Sequence, residues 1–203
     1  TGTAAQKRFG IKEPVLGVLT RHMLYTSGDT LSPHLGARLM VEGDLVVRVA
    51  SDRICRATTA REALAHLDAV YPFIEVPDLF IDASTPLSAP MIAACNTGAR
   101  AGILGTAIPL ENSAEWFERL GKVHVALEAS RSGPSMEGVS AQLMGHPCNV
   151  VLWIRDAVAA RGERLRQGHL LSLGSMTAMR PAVPGSTVRA TYSGLDPAGD
   201  TVV

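Results

Sequence analysis

Three carboxylates are the residues of this sequence best placed to do chemistry. Glu42 and Asp44 lie two apart in Leu39-Met-Val-Glu-Gly-Asp-Leu-Val-Val-Arg-Val49, a run rich in β-branched residues that reads as a strand. Strand alternation sends both acids out of one face and Val41, Leu45, Val47 and Val49 out of the other. A solvated sheet face would carry acids in this pattern. So would a divalent-cation site, because hard cations take oxygen ligands and converging carboxylates need a positive partner. Glu75 is the third acid. It stands inside Tyr71-Pro-Phe-Ile-Glu-Val76, a second expected strand, where a carboxylate among apolar neighbours is costly unless it is paired or metal-bound. The residues alone leave a cation site and an ion-paired structural cluster both open. All three acids are oxygen donors with no Cys or His close by in sequence, so Mg²⁺ or Mn²⁺ suits them better than Zn²⁺.

The elements that must position these acids are short. Nineteen glycines, twelve prolines and an aromatic content of 4% punctuate the chain into many pieces. The stretch up to Leu39 has a basic helical start and turn signals at Gly28-Asp29 and Ser32-Pro33. Thr59-Ala-Arg-Glu62 is a capping box that opens a short helix with Leu64, Leu67 and Val70 on one side. A helix or irregular segment of small residues spans Ala89 to Gly98, and Arg100 to Leu104 returns to strand. Glu111 to Leu120 is a short helix or the approach to a strand over Lys122 to Glu128. Pro147 can start a helix that runs through Val150 to Arg161 and stops at Gly162. Strands follow at His169 to Leu173 and Thr187 to Tyr192. No repeat or linker divides the 203 residues, so one mixed domain with more strand than helix is expected.

Composition excludes several classes. Apolar residues make up 46% and charged residues 19%, enough for a real core. Nineteen basic side chains balance nineteen acidic ones, which argues against a nucleic-acid or anionic-membrane partner; Lys7, Arg8 and Lys12 form one short basic cluster. No run approaches the length of a membrane span, and no secretory leader is recognisable. Cys55, Cys95 and Cys148 are odd in number and lack metal-knuckle spacing, so a reduced, cytoplasmic chain is expected. Cys95 and Cys148 read as small buried residues, His146 as a structural cap, and Trp153 as core. Gly168, Gly174 and Gly185 read as turn residues. The chain opens Thr1-Gly2-Thr3 without an initiator Met and reads as a fragment or as missing its start.

Several segments together resemble the fumarylacetoacetate hydrolase-like superfamily, and within it the 2-keto-4-pentenoate hydratase and 4-oxalocrotonate decarboxylase group. Phe9-Gly-Ile-Lys-Glu-Pro-Val-Leu-Gly17 looks like the segment after that group's first core strand. Val41-Glu-Gly-Asp-Leu45 is similar to its acid-x-acid strand, with Asp44 where many members have a second Glu. Pro72-Phe-Ile-Glu-Val-Pro-Asp78 resembles the strand with the third ligand, and Ala94-Cys-Asn-Thr-Gly98 the group's Asn segment. The most specific stretch is Met144-Gly-His-Pro-Cys-Asn149 with Gly168 to Thr177, followed by Val183-Pro-Gly185 and Val188-Arg-Ala-Thr-Tyr192.

The resemblance implies an α+β, β-rich fold, a mixed β-roll with a few flanking helices, over residues 1–203 as a single catalytic domain. It implies Glu42, Asp44 and Glu75 as ligands of one Mg²⁺ or Mn²⁺, and Asn96 and Thr177 as substrate contacts. The substrate would be a small 2-oxo acid, chelated through its carboxylate and adjacent oxygen. The activity implied is that of a hydro-lyase of aromatic catabolism, with 2-hydroxypenta-2,4-dienoate as the type substrate. Decarboxylation of a 4-oxalocrotonate-type diacid is the alternative, with Arg100 or Arg21 as clamp for its far carboxylate. An acylpyruvate hydrolase using His22 or His34, and a non-catalytic member, are further readings. A homo-oligomer is implied, with association to another enzyme of the same pathway. The group's lysine lies in a Gly-aromatic-Lys-x-Gly-Leu-Thr motif whose last residue aligns with Thr1, so it would fall before this chain and the catalytic residue is unassigned. Some hydratases carry Asp after the Glu-Pro pair, where this chain has Val15.

Overall fold

The computed structural model describes residues 11, 13–82, 84–85 and 88–203. The expected basic helical start and the cluster of Lys7, Arg8 and Lys12 lie outside the described residues. Both expected acid-bearing strands form, as β2 (Met40–Val49) and β3 (Leu67–Val76), and they pair antiparallel along most of their length. Around them stand β1 (Leu24–Thr26), β4 (Ala101–Leu104), β8 (Leu170–Ser172), β5 (Ile108–Pro109) and β9 (Arg180–Pro181). The sheet runs β1-β4-β3-β2-β8, with β5 on β3 and β9 on β2. Only its β1–β4 pairing is parallel among the described residues.

A second, wholly antiparallel sheet runs β11-β10-β6-β7, from β6 (His124–Ala129), β7 (Met136–Val139), β10 (Val188–Asp196) and β11 (Gly199–Val202). The two sheets meet over a core that includes Leu45, Val47, Val125, Leu127 and Tyr192. At Gly43 a Cβ atom would come within 3.0 Å of Val125, so the missing side chain lets β2 lie close to β6. Tyr192 joins the layers from β10. Its hydroxyl lies 2.7 Å from the Asp44 carbonyl and 2.6 Å from that of Phe73, and accepts from the Phe73 N–H.

Among the described residues four α-helices flank the sheets: α1 (Ala60–Leu64), α2 (Ala89–Ala94), α3 (Ala114–Leu120) and α4 (Pro147–Ala160). Thr59 caps α1 by accepting from the Glu62 N–H, but the Glu62 carboxylate reaches back to Thr58, at 2.7 Å, one residue earlier than a capping box requires. His146 caps α4. Its Nδ1 accepts from the Cys148 N–H, its Nε2 lies 2.8 Å from the Phe117 carbonyl, and its ring stacks on Phe117. Those contacts account for both ring nitrogens and give His146 a structural role. Gly162, at φ +76°, stands just past the end of α4. Among the described residues no helix is long and apolar enough to cross a membrane.

Candidate functional site

The β2–β3 register places Glu42 directly opposite Glu75 and Asp44 directly opposite Phe73, so all four side chains leave the same face. That face is not solvated. Glu42 and Asp44 are both buried, and Val46 beyond them is buried too. β2 is covered on both sides because β3 and β8 flank it while the second sheet and the cavity walls close its two faces. Glu75 is half-buried. Its neighbour on the other side is Gly102 of β4, where a Cβ would stand 2.0 Å from the Phe73 ring. With no side chain there, the Phe73 ring has room against β4.

The carboxylates are held by the last residue of β8 and the loop that follows it. Ser172 donates to Asp44 Oδ2 at 2.5 Å, and the backbone N–H groups of Leu45 and Gly174 also hydrogen-bond the Asp44 carboxylate. Ser175 hydrogen-bonds Glu42, and Glu75 shares a hydrogen bond with Glu42. Thr177 accepts from the Gly43 N–H at 2.9 Å, and Met176 donates its N–H to the Gly43 carbonyl at 2.8 Å, so the loop is pinned to β2 between the two acids. Gly138 of β7 makes room for it, since a Cβ there would meet the Met176 carbonyl at 2.0 Å.

Burial dominates the electrostatics. It raises Glu42 to about 7, helped by the Asp44 charge and opposed by the Ser175 hydrogen bond. It raises Asp44 to about 6, where the hydrogen bonds from Ser172, Leu45 and Gly174 hold it back. Glu75 is pushed well above the usual carboxylate range by burial and then by the charges of Glu42 and Asp44. No Lys, Arg or His pairs with any of the three among the described residues. This is an acid cluster short of positive charge. It fits a hard divalent cation, since every donor is an oxygen. As they stand, however, the described side chains do not form a ready-made cluster of three ligands. Glu42 and Glu75 face the cavity, while Asp44 is turned onto Ser172 and does not line it.

The cavity beside the pair has a volume of about 750 Å³. Its walls include Leu16 and Val18 from the segment before β1, Trp153, Ile154 and Val158 from α4, and Leu171 from β8. Trp153 is half-buried, packed against the core and forming part of the cavity wall, and Cys95 is likewise half-buried and lines it. Of the expected substrate contacts, Thr177 is buried under β2, bonded to Gly43. Asn96 spends its amide on the Val18 backbone: its Oδ1 accepts from the Val18 N–H at 2.7 Å, and its Nδ2 donates to the Val18 carbonyl at 2.8 Å. Asn96 and Thr177 are not among the residues that line the cavity; Thr97 is. Asn96 and Thr97 both hold a left-handed backbone, at φ 52° and 56°. For a β-branched residue such as Thr97 that conformation is strained, and strain of this kind collects where a wall must be shaped. Gly17 accepts the close approach, since a Cβ there would lie 2.3 Å from Thr97 Oγ1.

The cationic residues separate cleanly. Arg100 reaches Asp78 at 3.4 Å and does not line the cavity, whereas Arg21 and Arg161 do. Arg161 donates to the Leu16 carbonyl at 3.1 Å. His22 and His34 are exposed and line no part of it. Sequence reasoning missed Ser172 and Ser175. Their signal was the stretch Leu171-Ser-Leu-Gly-Ser-Met-Thr177 itself, in which two hydroxyls flank a turn glycine.

No family model matches the chain. A 2-keto-4-pentenoate hydratase from Paraburkholderia xenovorans is 25% identical over 196 residues, covering 96% of this chain and 70% of the relative. A 4-oxalocrotonate decarboxylase from Pseudomonas sp. strain CF600 is 24% identical over 196 residues, with 96% and 72% covered. Among solved structures, 4-oxalocrotonate decarboxylase from Pseudomonas putida G7, complexed with magnesium and adipate, superposes with a TM-score of 0.84 at 23% identity, over 100% of this chain and 73% of that one. Fumarylpyruvate hydrolase from Pseudomonas aeruginosa, in complex with Mn²⁺ and pyruvate, gives 0.61 at 16% identity, over 89% and 72%. The chain therefore has the β-rich α+β fold of the fumarylacetoacetate hydrolase-like proteins, and its sequence relatives are that superfamily's 2-keto-4-pentenoate hydratases and 4-oxalocrotonate decarboxylases.

Proposed function

We propose that this chain is a divalent-cation-dependent lyase that hydrates a short unsaturated 2-oxo acid in its enol form, with 2-hydroxypenta-2,4-dienoate as the type substrate. The observation that supports the reading is the cross-strand pair Glu42–Glu75, two acids at a cavity with no basic partner among the described residues. Glu42 and Glu75, with Asp44 behind them, would hold Mg²⁺ or Mn²⁺. Bound there, the cation would supply Lewis acidity to the 2-oxo acid and stabilise its enolate. Ser172 and Ser175 orient the carboxylates. Leu16, Trp153, Ile154 and Leu171 offer an apolar wall to the hydrocarbon part of the substrate and keep bulk water from it. Of the relatives named above, the 2-keto-4-pentenoate hydratase, at a quarter identity, agrees with this reading.

Decarboxylation of a diacid is the second reading, and one observation favours it. Arg21 lines the cavity and its side chain makes no hydrogen bond or ion pair among the described residues, so its guanidinium is free to meet a far carboxylate. A side-by-side assay with Mn²⁺ separates the two. Loss of the dienoate chromophore by water addition supports hydration, and CO₂ release from 4-oxalocrotonate supports decarboxylation. Cleavage of acetylpyruvate to pyruvate would overturn both in favour of a hydrolase. No turnover of any of the three acids would mark a non-catalytic member.

A further inference from the structure

A second cleft, of about 930 Å³, opens between the turn Asp52–Arg56 and the C-terminal end of α4 with the residues that follow it. Five arginines line it: Arg53, Arg56, Arg155, Arg164 and Arg166. Over the whole chain the charges cancel, so this is a local concentration of positive charge. Three acids share the cleft, but two are already engaged. Asp52 accepts from the Gln167 N–H at 2.7 Å and faces Arg166 at 3.4 Å, while Asp156 pairs with Arg155 at 2.7 Å. Arg155 is fixed further by its bond to the Ala57 carbonyl. The side chains of Arg53, Arg56 and Arg164 make no hydrogen bond or ion pair among the described residues. Guanidinium groups gathered in a concavity repel one another unless an anion enters between them.

We propose that this cleft binds a small multivalent phosphate of the diphosphate class. The free guanidinium groups come from two walls, Arg53 and Arg56 from one and Arg164 from the other. A planar carboxylate presents its oxygens in one plane. A diphosphate presents tetrahedral oxygens in several directions and can accept from both walls at once, in the paired geometry that arginine favours. The site is separate from the acid pair and requires no divalent cation. Leu165 and Glu163 line both cavities, so the segment after α4 forms the partition between them.

The test is titration calorimetry of the folded chain with inorganic pyrophosphate, orthophosphate and citrate, without divalent cation. Pyrophosphate is expected to bind roughly tenfold or more tighter than either of the others, and the Arg53→Ala/Arg56→Ala double variant to lose about tenfold or more. Arg189→Ala, which removes an exposed arginine of β10 outside the cleft, is expected to stay within about twofold. Glu163→Gln removes the one lining acid without a side-chain partner among the described residues and is expected to tighten binding, a gain that misfolding would not produce. Citrate bound as tightly as pyrophosphate would overturn the phosphate assignment. An equal loss in Arg189→Ala, or no loss in the double variant, would overturn the site.

Discussion

Glu42 and Glu75 face each other directly across the β2–β3 ladder and share a hydrogen bond. Like charges in directly opposed positions destabilise a sheet, so the pair persists by sharing a proton or by meeting a cation.

Its first consequence is a pH dependence. Glu42 keeps its proton up to about 7 in the folded chain, against an ordinary value of 4.5, and Asp44 is raised in the same direction to about 6 from 3.8. Between the ordinary and the raised values the folded chain binds more protons than the unfolded one, so stability falls as pH rises. Without divalent cation, the melting temperature should therefore drop as the pH goes from about 5 to about 8, and Mn²⁺ should restore it most at the upper end. Thermal melts across that range, with and without Mn²⁺, check both halves.

Glu75→Gln should act oppositely on stability and on binding. With one charge removed, the cation-free chain at about pH 8 should gain on the order of 1–3 kcal/mol, which for a domain of this size is several degrees of melting temperature. A melt that falls instead would show Glu75 anchored by a partner other than Glu42.

Ser172 at the end of β8 and Ser175 in the loop after it set the rotamers of the acids. Ser172→Ala and Ser175→Ala should each weaken Mn²⁺ binding by roughly ten- to a hundredfold, as the loss of an orienting hydrogen bond does at metal sites, while leaving the fold intact. Paramagnetic titration of each variant reads the affinity, and its melt reads the fold.

What the sequence revealed and what it hid divide along physical lines. Strand periodicity put Glu42 and Asp44 on one face, and the apolar surroundings of Glu75 marked it as costly; both survive in the structure. The face itself was misjudged as open to water by one of the two readings, because alternation cannot tell a solvated face from one closed by a distant helix such as α4. Register was also out of reach. That Glu42 meets Glu75, and not Asp44, depends on how β2 and β3 slide, and no local signal fixes this. Ser172 and Ser175 went unread because each acts on a residue about 130 positions away in sequence. The helix caps at Thr59 and His146 were legible for the converse reason, since their partners lie within three residues.

Asn96 was expected to touch substrate, yet its amide clamps the Val18 backbone through two hydrogen bonds. Asn96→Ala should therefore cost about 1–2 kcal/mol and speed proteolysis around residues 15–19, while Mn²⁺ affinity stays within about twofold. Loss of Mn²⁺ binding with an unchanged cleavage rate would return Asn96 to the site.

The most direct test of the central claim is Mn²⁺ binding by this chain with and without oxalate, an enolate mimic, beside Glu75→Gln. Mn²⁺ is expected to bind at about pH 8, oxalate to tighten the binding, and Glu75→Gln to abolish it. Mn²⁺ that fails to bind, or that binds Glu75→Gln as well as the parent chain, would contradict that claim and leave the three acids as a proton-sharing structural cluster.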